Sequence, residues 1–134
     1  MNHEEHEDHQ GIRFDVVSRS IIGAAIDVHR ELGPGLLESA YSACLTHELG
    51  ERGLRVEREK PMPVKYKGLN VDLGYRLDLL VNDSVIVELK AVDRLGPIHQ
   101  AQLLSYLRLS GYRIGLLINF NAPLLKAGLR RFVL

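Results

Sequence analysis

The sequence predicts an α/β domain in which a mixed β-sheet is flanked by helices, with elements in the order helix, three strands, helix, strand. Three observations carry this. Two runs rich in apolar residues, 74–81 and 85–90, flank the turn formers Asn82-Asp83-Ser84 and read as a β-hairpin. Apolar residues recur at helical spacing before that hairpin and again after it. The run Ile114-Gly115-Leu116-Leu117-Ile118-Asn119-Phe120 is apolar without alternation, as in a strand buried on both faces.

Residues 1–12 are expected to form a disordered acidic and histidine-rich tail, and 13–134 a single domain. His3, His6 and His9 recur every third residue, but no packed scaffold fixes their rings, so a solvated tail is favoured over a metal site. From about Phe14 to Leu32, Val17, Ile21, Ala24, Ala25 and Val28 fall on one helical face. Gly33-Pro34-Gly35 ends that helix, with Gly33 suited to a left-handed cap. His29, near the end, reads as a capping or surface residue.

A second helix is expected from about Leu36 to Arg52, packing through Leu37, Ala40, Tyr41, Cys44, Leu45 and Leu49. Glu38 stands in its first turn. There it serves the helix dipole, or it points from the edge of the buried face towards the hairpin; spacing alone does not choose. Leu54, Val56, Met62, Val64 and Tyr66 alternate with charged residues as in an edge strand, broken at Pro61 and Pro63, and 67–70 reads as a turn. Pro97 opens a third helix, packed through Leu103, Leu104 and Leu107 and closed by Gly111. Gln102 and Tyr106 lie one turn apart on it, with His99 beside them; as a pair alone they fit a surface or rim position. A strand, a helix and a buried strand imply a crossover that sets Lys90 at the carboxyl end of an interior strand. A short helix near 124–129 and an edge strand at 132–134 close the chain.

A three-residue hairpin loop pairs Val81 with Val85 and, counting back, sets Asp78 opposite Glu88. Tyr75, Leu77, Leu79, Val81, Val85, Val87 and Leu89 then share an apolar face, and Arg76, Asp78, Leu80, Ile86, Glu88 and Lys90 the other. Opposed carboxylates repel by roughly 0.2–1 kcal/mol in the open and more when buried. Lys90 supplies one compensating charge; a divalent cation with oxygen ligands supplies more. The plain alternative is a solvated strand face with cross-strand ion pairs.

At 134 residues, 46% hydrophobic and 25% charged, the chain has the composition of one soluble domain. No apolar run reaches the ~20 residues that span a bilayer, so no membrane partner is expected, and a single cysteine suits a cytoplasmic setting. Cys44 reads as a small core residue. Net charge is zero, but Glu4, Glu5, Glu7 and Asp8 sit in the tail, leaving a balance of +4 on the remainder. That permits a phosphate-bearing substrate without demanding one.

These residues resemble a known superfamily. Asp78, then nine residues, then Glu88-Leu89-Lys90 is similar to the PD-(D/E)XK nuclease signature, which implies a restriction-endonuclease-like core. Gly35-Leu36-Leu37-Glu38-Ser39-Ala40-Tyr41 resembles the signature of the GxxExxY family within it, and Gln102 to Tyr106 resembles a QxxxY motif of its exonuclease-type branch. The likeness spans about Val16 to Leu134, with one departure, Leu77 in place of proline. It implies that Asp78, Glu88 and the Leu89 carbonyl bind Mg²⁺ or Mn²⁺, with Glu38 completing or tuning the site. It also implies that Lys90 orients the attacking water, with Gln102 and Tyr106 as polar supports. The expected activity is a metal-dependent nuclease, with DNA favoured over RNA as its partner. Two competitors are an inactive binding module on the same fold and a small subunit that works as a homodimer, the latter suggested by the apolar end Phe132-Val133-Leu134.

Overall fold

Apolar residues line both faces of the central hairpin, and two cores follow from that. The computed structural model describes residues 9–134, with side chains from Val16 onward. Three helices, α1 (His9–Leu32), α2 (Glu38–Glu51) and α3 (Pro97–Ser110), accompany seven strands. These are β1 (Val56–Pro61), β2 (Val64–Tyr66), β3 (Leu69–Val71), β4 (Arg76–Val81), β5 (Val85–Lys90), β6 (Ile114–Asn119) and β7 (Leu129–Val133). The main sheet runs β1-β4-β5-β6-β7, with β5 and β6 parallel and the other pairs antiparallel. α1 begins earlier than the apolar pattern at Phe14 suggests; residues 1–8, most of the expected tail, lie outside the described residues.

The hairpin has its three-residue loop. Asn82 and Asp83 both take positive φ, at 52° and 49°, which short polar side chains tolerate, and Val81 faces Val85. On one side of the sheet, Leu79, Val81, Val85, Val87 and Leu89 pack with Ile21, Ala24 and Ala25 of α1 and with Tyr41, Leu45 and Leu49 of α2. On the other, Leu80, Ile86 and Leu117 pack against Leu103, Tyr106 and Leu107 of α3. Gly115 on β6 admits α3 closely: a Cβ there would stand 2.9 Å from a Leu103 methyl. β5 and β6 are therefore covered on both faces, which is why 114–120 carries no alternation.

Several sequence expectations change. Leu77 joins the α3-side core rather than that of Leu79, and Tyr75 is exposed, because the pleat loses its phase at Asp78. Cys44 is exposed and Leu37 is 77% exposed: the buried stripe of α2 is Tyr41, Leu45 and Leu49, steps of four, which turns Cys44 outward. Leu104 is only half-buried, and Tyr106 takes its expected place in the core. His29 is neither a cap nor a free surface residue, since its Nε2 meets the Ala122 carbonyl at 2.8 Å and ties α1 to the turn after β6. The expected turn at 67–70 is tighter, Lys67-Gly68 alone, and Leu69 and Asn70 enter β3, which pairs with β2 in a separate two-stranded ribbon. The closing helix is a short 3-10 turn, Leu125–Gly128, and β7 is longer than the edge strand expected at 132–134.

Candidate functional site

Asp78 and Glu88 meet where the regular β4–β5 ladder stops, at the pair Leu79 and Val87. Beyond it each carboxylate takes over a ladder bond of the other strand. The Asp78 N–H donates to Glu88 Oε2 at 2.9 Å, and the Leu89 N–H donates to Asp78 Oδ2 at 2.8 Å. The pairing on the other side of β4 is also broken at this point: Arg58 pairs with Leu79 and Lys60 with Leu77, while Glu59 between them adopts φ 52°. A positive φ is unusual for glutamate and is strained backbone in the middle of a strand. Asp78 thus stands in a local gap in the sheet.

Burial sets the electrostatics. Glu88 is 4% exposed, and desolvation, followed by the neighbouring Asp78 charge, pushes its carboxyl up to about 8. Asp78 is raised as well, mainly by burial, against the opposing pull of the Leu89 N–H and the Lys90 ammonium. The Lys90 charge pulls the carboxyls of Glu38, Asp78 and Glu88 down alike, against the rise that burial causes.

Glu38 reaches this group because of how the segment before α2 is tied down. Gly35 takes φ 102°, a conformation that suits glycine, and its N–H donates to Asn121 Oδ1 at 3.0 Å. The Tyr41 hydroxyl donates to the Gly33 carbonyl at 2.5 Å and accepts from the Leu36 N–H at 3.1 Å. Its ring stacks on Phe120 with centroids 4.6 Å apart. With the loop fixed at both ends, Glu38 in the first turn of α2 faces β4. It lines a cavity of about 300 Å³ with Ser39, Ser42, Arg58, Glu59, Asp78 and Leu89. Partial burial, then the Asp78 charge, raises its carboxyl.

On the opposite side, Tyr106 is buried in the α3 core. Its hydroxyl is raised by burial and then by Glu88 and Asp78, with Gln102 as its hydrogen-bonding neighbour. Tyr106 is thus turned inward, while Gln102 is half-buried, in keeping with a rim position. His99 does not join it: its Nδ1 accepts the Gly96 N–H at 2.9 Å and caps α3. Beneath Lys90, the buried Asn119 fixes the exit of β5. Its side chain accepts from the Val92 N–H at 3.0 Å and donates to the Val92 carbonyl at 2.8 Å, while the Phe120 N–H donates to the Lys90 carbonyl.

Glu59, Arg58, Asn119 and the Tyr41 hydroxyl are the members that sequence reasoning missed. Glu59 reads in the sequence as one more charge on a solvated edge; only the β1–β4 register sets it across from Asp78. Asn119 carries a signal, as the one strongly polar residue in an apolar strand.

The donors of the site are hard oxygens from neighbouring, mutually repelling carboxylates, and that chemistry fits a divalent cation. Among the described residues, however, no three His, Cys, Asp or Glu side chains are gathered closely enough to hold a metal. One oxygen each of Asp78 and Glu88 is instead occupied by a backbone N–H.

Two helices on one face of a mixed sheet, one on the other, and paired carboxylates at the sheet's end define a restriction-endonuclease-like α/β domain. The chain belongs to the PD-(D/E)XK nuclease superfamily, whose model matches residues 15–132. Comparison with curated proteins and comparison with solved structures each gave no significant match. Proteins of this superfamily are generally phosphodiesterase nucleases and typically use divalent metals, so the family suggests a nuclease-type function on nucleic acid.

Proposed function

We propose that this chain is a nuclease that hydrolyses phosphodiester bonds with Mg²⁺ or Mn²⁺, of the GxxExxY type that Gly35, Glu38 and Tyr41 resemble. The observation that carries the reading is the reciprocal engagement of Asp78 and Glu88 at the break in the ladder, with Lys90 within electrostatic reach of both. Asp78, Glu88 and the Leu89 carbonyl would hold the ion, with Glu38 completing the set. When bound, the ion supplies positive charge for the phosphate and acidity for an attacking water.

The chain's own residues do the rest. The Lys90 ammonium, on a strand end fixed by Asn119 and Phe120, offsets charge that builds on the phosphate and orients the water. Tyr106 and Gln102 support the substrate from the α3 side. Glu38 closes the cavity from the α2 side, next to Glu59 and Arg58. DNA is the preferred substrate class in this reading.

Digestion of a panel of labelled DNA and RNA strands with Mn²⁺ tests it. The intact protein should cut, and Lys90→Ala should cut roughly 10²–10³-fold more slowly, as for loss of one charge-stabilising donor. Equal digestion by both proteins would remove the catalytic assignment.

A further inference from the structure

Between β1 and β4 the chain leaves the main sheet, forms the β2–β3 ribbon and returns at Arg76, two residues before Asp78. The ribbon emerges at the site's end of the sheet, where the Met62 N–H donates to the Tyr75 carbonyl. Its strands pair only with each other, three residues a side, and such a two-stranded ribbon has little stability of its own. Its register puts Val64, Tyr66, Leu69 and Val71 on one face. Tyr66 and Leu69 are each 61% exposed there, and Leu73 beyond them is 67% exposed. This is a costly surface for a chain to present without a use.

Charge says what it suits. From Arg58 to Arg76 there are five basic residues against two acidic, although the chain as a whole is neutral. Lys67 stands over the Tyr66 ring, its Nζ 5.4 Å from the centroid, so a cation and an open aromatic face lie together at the tip. A second exposed ring lies nearer the carboxylates. Tyr75, 42% exposed, meets Tyr106 edge-on at 6.4 Å, and Tyr106 stands beside the carboxylates. Exposed rings with interleaved cations are how proteins hold unpaired nucleotides: bases stack on the rings, and the cations take the phosphates. A duplex keeps its bases stacked on one another and offers nothing to such rings.

We propose that the β2–β3 ribbon is a single-strand-binding arm: Tyr66 stacks on a base, Lys65, Lys67 and Arg76 hold phosphates, and the strand passes Tyr75 to reach Asp78 and Glu88. The arm deepens the nuclease reading and rests on it for the destination of the strand, but not for the binding itself. The test is therefore made without cleavage. Fluorescence anisotropy in chelator follows labelled oligothymidine, oligouridine and a DNA duplex.

Wild-type protein is expected to bind the single strands more tightly than the duplex. Tyr66→Ala should weaken single-strand binding about tenfold, while Tyr66→Phe, which keeps the ring, should not. Lys65→Ala with Lys67→Ala should flatten the dependence of log affinity on log salt by about 0.7 for each phosphate that is no longer neutralised. The altered side chains are exposed, so melting temperatures should match wild type. The arm is overturned if Tyr66→Ala and the Lys65→Ala, Lys67→Ala double variant both bind single strands as wild type does. It is also overturned if Tyr66→Ala alters only the size of the protein in solution, which would make the ribbon an interface between copies. Loss of binding in the arm variants alongside a wild type that never cuts would keep the arm and remove the nuclease reading. Cutting that is indifferent to the arm variants would do the reverse.

Discussion

Glu88 is the residue whose chemistry is most constrained by its surroundings. Its carboxyl titrates near 8 in the folded chain, against 4.5 as the ordinary value, because it is buried and faces Asp78. Between those values the folded protein holds a proton that the unfolded chain has lost, so stability is fullest below about pH 4.5 and falls as pH rises through 8. Thermal melts in chelator should therefore show a decline across that window from this group, with Asp78 adding in the same direction. Glu88→Gln, which mimics the protonated side chain, should flatten it. A melting temperature equally sensitive to pH in both proteins would contradict the assignment. At this scale the sequence was informative only in part: the turn residues set Val81 against Val85, but the pleat that was to oppose Asp78 to Glu88 breaks down beyond Leu79 and Val87, and the two acids meet instead through each other's backbone N–H groups. It could not show that the carboxylates replace ladder bonds. That depends on where pairing stops, and Glu59 was missed for the same reason.

At the level of elements, the approach of α2 to β4 rests on the anchored loop 33–37. Tyr41→Phe keeps the ring on Phe120 but removes both hydroxyl bonds, leaving the Gly33 carbonyl and the Leu36 N–H without that partner. The expected cost is about 1–3 kcal/mol, read as a lower melting temperature, with slower cleavage as Glu38 loses its fixed position. A variant as stable and as active as wild type would show that the loop needs no such tie. The 3-10 turn after β6 is equally tight: a Cβ on Gly128 would collide with the Asn119 carbonyl oxygen, which is backbone and cannot rotate aside. Gly128→Ala should destabilise by about 1–3 kcal/mol, and an unchanged melt would refute the close approach. Helix ends were legible through Gly33, Pro97 and Gly111, whose backbone preferences are local. The outward turn of Cys44 was not, because the width of a buried stripe is set by the neighbouring helix. The β2–β3 ribbon was hidden for a different reason: three-residue strands leave too little alternation to distinguish from a broken edge.

Across the whole molecule, helices on both sides of a five-stranded sheet bury β5, β6 and most of β4, while the outer strands β1 and β7 and the end where β4 begins and β5 stops stay more open. The order of elements was readable because buried strands and amphipathic helices carry different periods. The three-layer arrangement accounts for the mixed apolar pattern of β4 and β5, and it brings Glu38 from one layer and Tyr106 from the other towards the same pair of acids. Mutual repulsion of those acids should be relieved by a bound divalent ion, which would also raise the melting temperature by mass action on the folded state. Calorimetric titration of Mn²⁺ into the wild type, Asp78→Asn and Glu88→Gln is the most direct test. Saturable binding by the wild type, weakened at least about tenfold in each variant, is predicted from the loss of a charged oxygen ligand. A wild type that takes up no ion, or variants that bind it equally well, would contradict the account.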